Sequence, residues 1–260
     1  MSKIRFIEKT HKYITEDGRE LISVSAFTER FKEKVDWQKI AERSAKKQTK
    51  EGKPTTAREL LVKWEKKRNQ SASVGTLYHA IREEELINSG CLTKECTYDG
   101  TDKWSIPISD LENDTTYPEL MIYDIDHLIC GQADKVIIKD NTIHVWDYKT
   151  DAEIKFKGYS SEWKPAERLL NPLHHLEECN GNIYSIKMSL YMYMLWKANK
   201  GKLKTGELVL EHISLKRDPD NDNIPVLENG KPVELARNLI KVPYRKKEVL
   251  AMLETLKIKT

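Results

Sequence analysis

The segment PELMIYDIDHLICGQADKVIIKDNTIHVWDYKT, from Pro118 to Thr150, limits what this chain can fold into more than any other. Short apolar runs rich in β-branched residues, broken by turn signals, read as three strands. They are Glu119 to Tyr123, Gln132 to Lys139, and Thr142 to Lys149, with a turn at Asp140-Asn141 between the last two. Three acids fall on them, Glu119, Asp134 and Asp147, and Lys149 stands two residues after Asp147. Side chains alternate along a strand, so Asp147 and Lys149 share a face. Their neighbours are apolar: Val136, Ile137, Ile138, Ile143, Val145 and Trp146. Ionised groups inside such a sheet are costly unless compensated. A divalent cation is the simplest compensation for three carboxylates at one spot.

With 39% hydrophobic and 33% charged residues, the chain reads as globular rather than disordered. No apolar run approaches the ~20 residues of a membrane span, and MSKIRFIEKTHKY lacks a signal-peptide core. These features predict an intracellular protein with no membrane partner. Cys91, Cys96, Cys130 and Cys179 lack the close pairs that metal clusters favour. They read as separate reduced thiols, not as an iron–sulfur site. Charge is unevenly spread: residues 29–68 hold 14 basic and 7 acidic side chains, and residues 83–134 hold 2 basic and 13 acidic. A basic lobe beside an acidic site suits a protein that grips a polyanion with one part and holds metal with another. Two ordinary solvated faces would look the same by charge alone.

In chain order, residues 3–24 predict a β-hairpin turning at Asp17-Gly18. Ser25 is placed to cap a helix through Phe31, and Asp36 a second, WQKIAERSAKKQ. Thr56 and Glu59 form a capping-box pattern opening a third, ARELLVKWEKKRNQ, with Trp64 on its apolar face. Ser71-Ala-Ser73 reads as a break before a fourth helix, Val74 to Asn88, on which Thr76, His79 and Glu83 share a face. Residues 91–117 suggest a short hairpin around Trp104 and Ile106. After Thr150 comes a long loop, then a helix from Ile183 to Lys200 that carries Lys187 and Tyr191 at i and i+4. Gly206 to Leu215 reads as a strand, 217–232 as a polar excursion, and the end as a strand-like piece and a helix.

There is no G-x-S-x-G elbow, no phosphate-cradling glycine loop and no H-E-x-x-H. Paired acids for glycoside hydrolysis remain open, but the adjacent lysine and sheet burial favour metal binding. What is left is acid, acid, acid-x-lysine on successive strands, preceded by a helical histidine. This resembles the PD-(D/E)XK nuclease superfamily, in its RecB-like and phage-type exonuclease branch. Gly75-Thr76-Leu77-Tyr78-His79 is similar to the family's G-x-x-x-H helix, and Pro118-Glu119 to its first acid. Gly131-Gln132-Ala133-Asp134 is similar to G-x-x-D, Asp147-Tyr148-Lys149-Thr150 to D-x-K-T, and Tyr184 to Tyr191 to the helix that usually carries Q-x-x-x-Y. The likeness covers roughly 73–196. It departs at Ala133, where the superfamily name implies proline, and at Lys187, where glutamine is usual. A lysine contacts phosphate as a point charge rather than as a directed amide.

The resemblance implies an α/β fold: a restriction-endonuclease-like core, a mixed central sheet flanked by helices. It implies one domain over 1–260, with a hairpin and basic lobe (1–72), a catalytic core (73–216) and a C-terminal extension (217–260). It implies a Mg2+- or Mn2+-dependent deoxyribonuclease with two ions, an exonuclease in recombination, repair or phage DNA processing. An endonuclease of the same chemistry, or a non-catalytic DNA-binding protein that kept the fold, are the alternatives. His79, Glu119, Asp134, Asp147 and the Tyr148 carbonyl would hold metal. Lys149, partly buried beside the cation and so expected to have a lowered pKa, would orient or deprotonate water. Glu83 would steady His79, and Thr150, Lys187 and Tyr191 would face substrate. DNA, and a recombination or single-strand-binding protein, are the implied partners, in a bacterial or phage-infected cytoplasm.

Overall fold

The computed structural model describes residues 3–89, 97–99, 102–162, 164–221 and 223–256. Asp17-Gly18 makes the expected turn, with Gly18 at a φ of 87° that a side chain would disfavour. It joins β2 (Lys12–Thr15) to β3 (Glu20–Ser23), and a single 3-10 turn separates β2 from β1 (Ile4–Ile7). Helix α1 (Val24–Glu29) starts earlier than expected. Ser23, not Ser25, is its cap, because the extended backbone at the end of β3 lets the Ser23 hydroxyl accept the Ala26 N–H. Ser25 is thereby freed to face a cleft.

Asp36 caps α2 (Trp37–Lys50) as expected, accepting the Lys39 N–H. Both capping-box bonds form at Thr56 and Glu59, opening α3 (Ala57–Asn88). The two helices expected on either side of Ser71-Ala-Ser73 are therefore one helix of 32 residues. The Ser73 hydroxyl instead bonds back along the helix to the Asn69 carbonyl, as Thr76 does to that of Ala72. The N-terminal half of α3 packs on α2 through Ala41, Ala45 and Leu60, with Trp64 beside them.

Strands β4 (Thr97–Asp99) and β5 (Asp102–Trp104) form the short hairpin, with Ile106 just beyond it. Cys91 and Cys96 lie outside the described residues; Cys130 and Cys179 are free thiols. Next come β6 (Thr115–Asp124), β7 (Ile129–Lys139) and β8 (Thr142–Lys149), then α4 (Asn180–Ala198) and β9 (Lys204–Leu215). Asp140 and Asn141 both take positive φ, the geometry of a two-residue hairpin turn. The excursion holds two small hairpins, β10 (Arg217–Asp218) with β11 (Ile224–Pro225), and β12 (Leu227–Glu228) with β13 (Lys231–Pro232). Strand β14 (Glu234–Val242) and α5 (Lys246–Glu254) close the described chain.

The fold is α/β, a mixed central sheet flanked by helices. Its strand order is β14-β9-β8-β7-β3-β2-β1-β5-β4, with β6 along the other edge of β7. Strand β14 and helix α5 contribute to this core: β14 is hydrogen-bonded to β9, and Val249, Met252 and Leu253 of α5 join the cluster that begins at Ile4. Helix α4 is apolar around nearly its whole circumference, because it is enclosed between the sheet and α5.

Strand β7 is the hub of the sheet. One edge pairs with β6 throughout. On the other edge, β3 runs parallel at Ile129 and Cys130, and β8 runs antiparallel from Lys135 to Lys139. Between them, Gly131 to Asp134 pair with no strand on that side among the described residues. The sheet splays open there.

Candidate active site

Register brings the three acids together. Pro118 stands opposite Lys135 and Leu120 opposite Ala133, which sets Glu119 across from Asp134. Lys135 stands opposite Trp146, and one step further sets Asp134 across from Asp147. Contacts bear this out: His79 touches Asp134 and lies near Glu119, and the charge of Asp134 acts on Asp147, so the three carboxylates gather across β6, β7 and β8. At the splay, Asp134 Oδ2 accepts the Tyr148 N–H at 2.6 Å. The side chain replaces the missing ladder bond and pins β8 beside β7. Glu119 has a φ of 43° within its strand. For a non-glycine residue that costs on the order of 1 kcal/mol, and it breaks the side-chain alternation at that position.

His79 reaches the row from α3. Its Nδ1 lies 3.3 Å from Asp134 Oδ1 and 3.9 Å from Glu119 Oε1. One donor atom from each of the three residues fits within 4.8 Å of the others, and this trio could hold a cation. Burial pushes the His79 pKa down, but the carboxylates of Asp134 and then Glu119 outweigh it and hold the ring protonated up to about 10. Without metal, the proton on His79 is the positive charge between two carboxylates. Glu83, one turn along α3, lines the same cleft as His79 and Glu119.

Asp147 is ion-paired with Lys149, and Lys149 also donates to the Tyr148 carbonyl at 3.1 Å. That carbonyl is the one expected to face metal. Burial raises the Asp147 pKa, opposed by Lys149 and reinforced by Asp134. Without metal, burial lowers the Lys149 pKa, but Asp147 and then Asp134 override burial and hold it above its ordinary value.

The remaining expected residues gather around this centre. Lys187 lines the cleft and donates to Ser25 Oγ at 3.2 Å; burial, then Lys149, lowers its pKa. Tyr191 is buried, with its phenol pKa raised by burial and then by Asp147. A Cβ on Gly131 would stand 2.6 Å from Tyr191 Cε1, so that glycine exists to admit the ring. Thr150 Oγ1 sits 3.3 Å from where a Gly75 Cβ would be, and its carbonyl accepts from Arg217 at 2.8 Å.

Sequence reasoning misses three residues of the site. Ser25 faces the cleft because Ser23 took the cap. Tyr184 lies under the Lys149 ammonium, 4.8 Å from its ring centre, and donates to Asp151 Oδ2 at 2.9 Å. Asp151 is held through its carbonyl by His212. Two signals were present: Tyr184, Lys187 and Tyr191 fall at i, i+3 and i+7, and Asp147, Lys149 and Asp151 at i, i+2 and i+4.

No protein-family model matches the chain, and no curated protein does. The solved structure of SSO0001 is similar to it with a TM-score of 0.32 and 14% identity, over 90% of this chain and 83% of that one. So remote a likeness bears on neither fold nor function. No helix among the described residues is long and apolar enough to cross a membrane.

Proposed function

We propose that the chain is a divalent-metal-dependent DNA exonuclease of the PD-(D/E)XK type. The observation that carries this reading is the row of Glu119, Asp134 and Asp147 across three adjacent strands, with Lys149 paired to Asp147 and His79 set between the other two. The donor set fits the group it would need: carboxylate oxygens suit Mg2+ and Mn2+, and the imidazole of His79 tilts the choice toward Mn2+. Asp134, Asp147, Glu119 and His79 would hold the cation, joined by the Tyr148 carbonyl once Lys149 lets it go. When bound, the cation acidifies a coordinated water and offsets charge on the phosphoryl oxygens.

The chain's own residues supply the rest. Lys149 orients or deprotonates the attacking water and stabilises charge as it develops on the phosphate. Lys187 and Ser25 offer an ammonium and a hydroxyl 3.2 Å apart for a neighbouring phosphate oxygen. Tyr184 fixes Lys149 by lying beneath it and holding Asp151. The basic residues of α2 and α3 would supply the non-specific grip on a polyanion.

The test is incubation of the purified protein with end-labelled linear and covalently closed circular DNA, single- and double-stranded, with Mg2+, Mn2+ or EDTA. Linear DNA shortened from its ends only with metal, and circles left intact, is the expected result. Cleaved circles would make it an endonuclease. Asp134→Ala and Lys149→Ala should each be inactive yet folded, and undiminished cleavage by either would sink the site.

A further inference from the structure

Helix α3 does more than deliver His79. With 100° between successive residues, Trp64, Arg68, Gly75 and His79 lie within about 60° of one another around the helix. Two layers pack against α3: α2 near Trp64, and the sheet near Tyr78. Between them a stretch of the helix is open, with Arg68, Ala72 and Thr76 exposed. A groove runs along it from Glu119 and His79 past Ala80, Thr76 and Gly75 to Ala72. Its floor is made of small side chains. Beyond the end of the groove, about 12 Å further toward the N-terminus of α3 than Ala72, Trp64 meets Trp37, the first residue of α2, edge to face at 6.3 Å, and Trp37 is nonetheless 57% exposed. Trp64 lies about 22 Å from His79 along the axis.

An exposed indole braced by a second indole, within a segment of 14 basic and 7 acidic residues, is complementary to one kind of ligand: a polyphosphate carrying free aromatic faces. Duplex DNA meets only half of that, since its base faces are stacked inside. We propose that an unpaired stretch of nucleic acid lies along this groove of α3, with Arg68 on its backbone and a base stacked on Trp37. This rests on the nuclease reading and narrows it, giving the site a single-stranded approach that bears its register on α3.

Binding is read by anisotropy of a short labelled single strand and of a blunt duplex, with Ca2+ in place of Mg2+ to permit binding without cleavage. Trp37→Ala should weaken single-strand binding about tenfold, Trp37→Phe should restore most of it, and duplex affinity should change less than about twofold. Trp37→Leu keeps an apolar cover on Trp64 but has no stacking face, so it should behave as the alanine variant does. Arg68→Ala should weaken binding and flatten its salt dependence. Single-strand affinity unchanged in both the alanine and the leucine variants, or an equal loss for duplex, overturns the inference while leaving the nuclease reading intact. A wild-type protein that binds neither substrate overturns both.

Discussion

In protein stripped of metal, the charge on His79 holds Glu119 and Asp134 in place, and replacing it tests the geometry of the centre without an activity assay. His79 stays protonated up to about 10 in the fold, whereas an unfolded histidine titrates near 6.5. A pKa raised by folding stabilises fully below about pH 6.5, and that stability drains away as pH rises toward about 10. The gap between the two values corresponds to roughly 5 kcal/mol as a ceiling. The imidazole is 30% exposed, and solvent screening takes about half of the ceiling, leaving ~2 kcal/mol. Urea denaturation in EDTA, at several pH values from about 6 to about 10, should show wild type losing ~2 kcal/mol more than His79→Gln over that range. Tyrosine, lysine and cysteine titrations are common to both proteins and cancel in the difference. Parallel pH profiles would refute the reasoning, because they would mean that the ring carries no proton between the acids.

If His79 ligates a cation it must first lose that proton. Calorimetric titration with Mn2+ near neutral pH, in buffers of different ionisation enthalpy, should then report release of about one proton per site; release near zero would exclude the imidazole as a ligand. Gly131→Ala puts a carbon 2.6 Å from the Tyr191 ring and should cost about 1–3 kcal/mol by overpacking, measured by urea denaturation, with part regained in Gly131→Ala/Tyr191→Leu. Far from the site, Lys197 donates to both oxygens of buried Asp124 at 2.7 and 2.8 Å, while His127 Nδ1 stands 2.7 Å from the same carboxylate, so Lys197→Met should destabilise by about 1.5–3 kcal/mol without altering metal binding. A loss under about 0.5 kcal/mol would place that pair with ordinary surface ion pairs.

The elements most legible in the sequence are those whose cause is local. Asp17-Gly18, Asp36 and the Thr56–Glu59 box act within four residues, and each formed as its side chains favour. The break expected at Ser71-Ala-Ser73 failed because a hydroxyl can close on its own helix as readily as it can cap the next one. Strand β14 is legible only at its end, since an edge strand wetted on nearly every residue has no apolar alternation to display. At the site, the residue types were legible, but their relations were not. That Glu119, Asp134 and Asp147 align depends on the register of two ladders. That Lys149 is held above its ordinary pKa without metal depends on Asp147, two positions away, and then on Asp134, fifteen positions away on another strand.

The continuity of α3 has a mechanical consequence. A break near Ser73 would have made the basic lobe a flap on a hinge, free to swing without disturbing the chemistry. An unbroken helix makes it a lever arm. Its first residue, Ala57, lies about 33 Å from His79 along the axis, so rocking the helix by one degree about the histidine moves the tip by roughly half an ångström. Conversely, a load on the lobe is returned to the histidine as torque, and whatever pulls at the far end is felt between the two carboxylates.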